Sequence, residues 1–189
     1  MGHEAEYPYI FKENADIYLN ALAIYIQELY GNIKVKMYIA GGSAIVLRHN
    51  FRNSTEDIDA YIESLNNIDI SYAIQQVAME YGITEDWINS DFTQSPSASP
   101  NLLFHANFYK TYGNGILDVY TINDIDLICM KLVSFRDKDI PDIMNLINEN
   151  RDMLTEQILI DRITFLYGSL DMIGYNARQF VTGMRLPKF

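Results

Sequence analysis

The sequence predicts an α+β fold: a small mixed sheet with flanking helices, followed by a helical C-terminal part. Three observations carry this. Short alternating apolar stretches occur only before residue 123, stretches of helical spacing lie among them, and only helical spacing follows Asn123. With 189 residues the chain fits a single domain, 1–189, with the mixed core over 33–122 and the helical part over 123–189.

The elements follow in order. Asn14 to Tyr30 reads as a helix, with Leu19, Leu22 and Ile26 among its apolar residues and Gly31 placed to end it. Lys34 to Ala40 alternates through Val35, Met37 and Ile39 as a strand, and Gly41-Gly42 closes it. Ser43 to Asn50 reads as a short helix, Asp57 to Glu63 as a second strand, and Asn67 to Tyr81 as a helix stopped by Gly82. Ser95 to Pro100 reads as a surface loop. Two more strands, Leu102 to Tyr109 and Ile116 to Ile122, flank the turn Gly113-Asn114-Gly115, a hairpin signal. Asn123 or Asp124 can cap the next helix, and Pro141 can open the one after it.

Composition excludes several classes. One Cys rules out an intrachain disulfide framework and a multi-Cys zinc site, and it suits a reducing cytoplasm. No apolar run reaches the roughly 18 to 20 residues of a membrane span. Met1 to Tyr9 lacks the apolar core of a signal peptide. A net charge of −11 argues against broad coating of nucleic acid, which needs many Lys and Arg contacts. His3, His49 and His105 show no metal-ligand spacing.

Three pieces carry chemistry. In Ile39-Ala40-Gly41-Gly42-Ser43, a strand runs into two glycines, a hydroxyl residue and a helix. Glycines let backbone approach a ligand closely, and a helix N-terminus offers N–H groups to phosphate. The same residues also make an ordinary strand-to-helix turn. In Asp57-Ile58-Asp59, residues i and i+2 share one strand face, so two carboxylates project side by side. Such a pair suits a hard divalent cation, Mg²⁺ or Mn²⁺, or a solvated strand face. In Leu117-Asp118-Val119, one carboxylate sits between apolar neighbours on a strand; a half-exposed strand position reads the same way.

Taken together, Gly41-Gly42-Ser43, thirteen further residues, Asp57-Ile58-Asp59 and then Asp118 resemble the nucleotidyltransferase superfamily with a DNA-polymerase-β-like fold. Arg48, Arg52, Ser54 and Thr55 add to the likeness. So does Lys131-Leu132 followed by Arg136, Lys138-Asp139 and Asp142-Ile143, which resembles minimal bacterial members, including the abortive-infection toxin-type group called AbiEii-like. The likeness covers roughly residues 35 to 147.

The resemblance implies a polymerase-β-like fold and a metal-dependent enzyme. Asp57 and Asp59 would ligate Mg²⁺ or Mn²⁺, and Asp118 would complete a second site and take the acceptor's proton. Gly41, Gly42 and Ser43 would hold the phosphates of a nucleoside triphosphate; Lys131, with Arg48 or Arg52, would neutralise their charge. The acceptor hydroxyl would belong to an RNA end, a protein or a small molecule, in a toxin or defence setting. The alternative is a catalytically silent member that binds a nucleotide or a partner protein. Tyr109, Tyr112 and Tyr120 are candidates to stack on a base. Asp137, Asp139 and Asp142 read as a solvated helix start, with Asp139 also able to orient Lys131 or Arg136. Cys129 reads as core.

Overall fold

A computed structural model describes residues 9–184. The readings placed on residues 1–8, His3 among them, and on residues 185–189 of the helical tail lie outside the described residues. Where one domain was expected, the chain divides into two compact units. The first comprises the residues up to Asp91 with Asn107–Thr121; the second comprises Phe92–Ala106 with the residues from Ile122 onward.

The first unit opens with β1 (Ile10–Phe11) and α1 (Lys12–Tyr30). Leu19, Leu22, Ala23 and Ile26 are buried at helical spacing, and Gly31, at φ +77°, ends the helix. There follow β2 (Val35–Ile39), α2 (Gly41–Arg48), β3 (Ser54–Thr55) and β4 (Ile58–Ser64). Helix α3 (Ser71–Tyr81) buries Ala73, Ile74, Val77 and Ala78 and stops at left-handed Gly82. It starts later than predicted because Leu65–Asn67 forms a short 3₁₀ turn in which Asn66 and Asn67 take positive φ. Next come β5 (Ile88–Asn89), β6 (Asn107–Tyr112) and β7 (Leu117–Thr121).

Five of these strands form one mixed sheet in the order β5-β4-β2-β7-β6, and β1 pairs with β3 apart from it. Strand β2 runs antiparallel to β4 (Met37 opposite Ile62) and parallel to β7 (Met37 opposite Val119). Val35, Met37, Ile39, Leu117 and Val119 are buried on one face; Lys36, Tyr38, Asp118 and Tyr120 lie on the other. The β6–β7 hairpin turns through Gly113, Asn114 and Gly115, all at positive φ, as the turn chemistry predicted. A Cβ on Gly113 would stand 2.6 Å from the Ala23 Cβ, so α1 packs against a bare backbone there.

The expected strand from Leu102 is not one: Pro100–His105 is a 3₁₀ helix, and the strand begins at Asn107. Ser99 caps that helix by accepting from the Asn101 N–H, and Pro100 opens it. The preceding Ser-Pro stretch is also more than a surface loop. It belongs to the second unit, where the Tyr167 hydroxyl donates to the Ser97 carbonyl and the Asn101 amide to the Phe165 carbonyl.

The rest of the second unit is α4 (Asp124–Ser134), α5 (Ile140–Glu149), α6 (Glu156–Tyr167) and α7 (Tyr175–Gly183). Asn123 caps α4 through a 3.0 Å bond from the Asp126 N–H, and Pro141 sits in the first turn of α5, as predicted. Cys129 is fully buried. No helix among the described residues is long and apolar enough to cross a membrane.

Candidate active site

Strand β2 delivers the glycines, and the entry into β4 delivers the carboxylates, to one end of the sheet. The Ala40 N–H donates to the Asp59 carbonyl at 2.8 Å, which sets the turn into α2 directly opposite the Asp-x-Asp segment. Ile58 is buried and Asp57 and Asp59 are half-buried; Asp59 lies on β4, whereas Asp57, expected to open that strand, stands in the bend just before it. The Asp57 Oδ2 accepts from the Asn89 amide at 2.8 Å. The Asn89 side-chain oxygen accepts from the Asp91 N–H, tying that amide to the loop behind it.

Both glycines are needed for space. Gly41 has φ +60°, and a Cβ there would lie 2.5 Å from the Asp59 Oδ2. At Gly42 a Cβ would lie 2.6 Å from the Cζ of Arg52. An acidic group and a guanidinium thus flank the first turn of α2. The first N–H groups of a helix have no acceptor within it, so Gly41, Gly42 and Ser43 present backbone donors between that carboxylate and that guanidinium.

The side chain of Ser43 is placed differently from expectation. Helix α2 begins at Gly41, two residues early, and the Ser43 hydroxyl turns inward, buried, to donate to the Ala40 carbonyl at 2.8 Å. What Ser43 can offer a ligand is its N–H. Arg52 is at the cradle, with its Nε donating to the Ser54 carbonyl at 3.2 Å. Arg48, at the other end of α2, reaches the Thr121 hydroxyl at 3.4 Å. His49 rests against the Phe51 ring.

Asp118 does not join the pair. It lies opposite Lys36, four residues before Ala40 on β2, and on the far side of β2 from β4. That register separates it from Asp59 by about 13 Å along the strands and about 10 Å across them. It shares the sheet face of Asp59, and its Oδ1 accepts from the Thr111 hydroxyl. The parallel pairing of β7 with β2 is the reason: it brings Thr121, not Asp118, level with Ile39. Among the described residues no group of three or more His, Cys, Asp and Glu gathers around a point.

Lys131 belongs to the second unit. It is buried on α4, with its ammonium 3.1 Å from Asp139 and 2.9 Å from Asp142. Asp139 also takes the Arg136 guanidinium at 2.8 Å. Asp139 and Asp142 are therefore not a solvated helix start: both are buried around Lys131. Burial pushes the Asp139 carboxyl up, but Arg136 and Lys131 outweigh it and hold it below the usual carboxylate range. Tyr112 cannot stack on a base, because it is buried and its hydroxyl donates to Asp16.

Sequence reasoning missed Asn89 and Asp142 as partners of site residues. A two-residue strand carries no readable period, so nothing marked Asn89. Asp142 was visible as one charge in an acidic run and as part of the Lys131 to Ile143 likeness, but neither marked it as a partner of Lys131.

The donor set fits a hard divalent ion with limits. Mg²⁺ is held by one or two carboxylates with waters and substrate phosphates completing its shell, not by an all-protein cage. Two carboxylates beside a glycine cradle that any Cβ would fill meet that description; a second ion placed by Asp118 does not.

A family model described as "nucleotidyltransferase of unknown function (DUF6036)" matches residues 18–182. The comparisons with curated proteins and with solved structures returned no significant match. The chain belongs to that nucleotidyltransferase family.

Proposed function

We propose that this family member is a Mg²⁺-dependent enzyme that moves a nucleoside monophosphate from a nucleoside triphosphate to a hydroxyl acceptor. The observation that carries it is the meeting of Asp57 and Asp59 with the Gly41-Gly42 turn at one end of the sheet. The N–H groups of Gly41, Gly42 and Ser43, with Arg52 beside them, hold the terminal phosphates. Asp57 and Asp59 hold the ion, and Asn89 fixes which oxygen of Asp57 is already engaged. The ion, when bound, screens charge between carboxylates and triphosphate and stabilises the pentacoordinate α-phosphate. The acceptor oxygen bonds to the α-phosphorus, the bond to the bridging oxygen of pyrophosphate breaks, and the acceptor proton leaves to solvent. The resemblance also gives Arg48 and Lys131 to the phosphates. Asp139 and Asp142 already take up the charge of Lys131, so this reading leans on Arg52 first and Arg48 second. The same reading takes the fold as polymerase-β-like and the setting as cytoplasmic and toxin- or defence-related.

A second reading is favoured by one observation, the distance of Asp118 from the pair. Without a third carboxylate at the metal there is no evident base for the acceptor proton, and a catalytically silent, nucleotide-binding protein results. Transfer of α-labelled nucleotides to total RNA and protein separates the two. Labelled product from the wild type and none from an Asp57→Asn/Asp59→Asn double variant supports transfer; triphosphate binding with no product supports the silent protein.

A further inference from the structure

The same sheet face carries a row of aromatic rings that the proposed chemistry does not use. Tyr61 on β4, Tyr38 on β2, Tyr120 on β7 and Phe108 on β6 lie directly opposite one another in register. Their ring centroids are 6.4, 5.1 and 5.6 Å apart in that order. Cross-strand aromatic pairs steady a sheet, and that accounts for the half-buried inner pair, Tyr38 and Tyr120, which stack at 20°. It does not require the two ends to face water. Tyr61 is 40% exposed and Phe108, the distal end, 58% exposed.

Position gives the row its meaning. Tyr61 is two residues from Asp59 on the same face, so its ring stands about 7 Å along the strand from the metal-binding carboxylate. The row then runs away from Asp59 across three strand spacings, about 14 Å, which is longer than any one base. A donor nucleotide held at Gly41 and Asp59 could cover the Tyr61 and Tyr38 end but not Tyr120 and Phe108 as well. The charge of the chain, −11, also matters. It argues against holding a long strand through many Lys and Arg contacts, so the ring contacts must carry most of the binding of a short end.

We infer that this row is the platform for the acceptor: a single-stranded nucleic-acid end of two to three nucleotides, its bases stacked from Phe108 toward Tyr61 and its terminal hydroxyl directed to the Asp57–Asp59 end. The inference rests on the reading of that end as the metal and phosphate site. Four-stranded sheets with exposed aromatics bind two or three bases in this manner.

The test uses the full chain and a fluorescein-labelled triadenylate, against the same backbone without bases, read by anisotropy. The base-bearing probe binds roughly ten-fold or more tighter than the abasic one, and Tyr61→Ala and Phe108→Ala each weaken it by roughly ten-fold. Tyr61→Phe retains binding, since the ring and not the hydroxyl is used, and circular dichroism checks that the alanine variants remain folded. Equal binding of abasic and base-bearing probes, no binding of either, or alanine variants that bind like the wild type overturns the inference. So does a loss confined to triphosphate binding, which would make the rings a donor site. Mg²⁺-dependent triphosphate binding is measured on the same preparations. Its absence beside intact, base-dependent probe binding would sink the enzymatic reading and leave the platform standing.

Discussion

Two pairs of neighbouring carboxylates in this chain are built on opposite terms. Asp139 and Asp142 are buried, and the protein supplies their cations itself, Lys131 between them and Arg136 on Asp139. Asp57 and Asp59 are half-buried where the chain enters β4, Asp59 stands beside Gly41, and Asp57 takes the neutral amide of Asn89. The first arrangement completes its own electrostatics, so removing one member should cost stability. The second sets Asp59 and the Arg52 guanidinium close against two glycines at a helix start, so removing a member should cost binding.

The largest expected effect tests the first half. Lys131→Met leaves two buried carboxylates without their shared cation and should lower stability by about 3–5 kcal/mol, read from denaturant melts. A change below about 1 kcal/mol would show that the pair is hydrated and the comparison mistaken. Next comes Gly41→Ala. It forces a side chain into positive φ and against the Asp59 carboxylate, and should cost about 1–2 kcal/mol from the backbone alone. Gly42→Ala meets only side-chain atoms of Arg52 and no backbone, so it should cost less than Gly41→Ala, within about 1 kcal/mol, while triphosphate affinity falls.

A pH titration of stability gives the smallest effect. The folded Asp139 carboxyl lies below its unfolded value, so its contribution is complete above about pH 4 and is lost as pH falls through the lower folded value. Asp139→Asn should flatten the acid side of the stability profile and leave the slope above about pH 5 unchanged. A variant whose profile parallels the wild type throughout would remove Asp139 from the account.

The legible part of the molecule was the part with long periods or strong punctuation. Helices α1 and α3, the β2 alternation and the Gly113-Asn114-Gly115 hairpin followed from apolar spacing and turn chemistry. The strand that carries Asp59 followed from its two-residue period, although it begins one residue later than Asp57. Asp118 was misplaced for a different reason. Its strand was visible, but the parallel register of β7 on β2 pairs Lys36 with Asp118 across a long stretch of chain, and no local pattern states which residue comes level with Ala40. The Ser43 hydroxyl was misjudged because the helix starts two residues early and turns it inward, onto the Ala40 carbonyl. The Ser95–Pro100 stretch and its 3₁₀ sequel read as loop and strand because Leu102, Leu103 and Phe104 form an apolar run; Ser99 and Pro100, acting as cap and first residue, decided for a helical turn.

The central claim is that metal and triphosphate meet at Asp57, Asp59 and the Gly41-Gly42 turn, and that Asp118 lies outside this site. Calorimetric titration of a nucleoside triphosphate, with and without Mg²⁺, tests it most directly on three proteins: wild type, Asp57→Asn/Asp59→Asn and Asp118→Asn. The account predicts Mg²⁺-dependent binding by the wild type, its loss in the double variant, and affinity within about two-fold of wild type for Asp118→Asn, since a site that distant couples little. Binding that survives the double variant, or that disappears with Asp118→Asn, would contradict it.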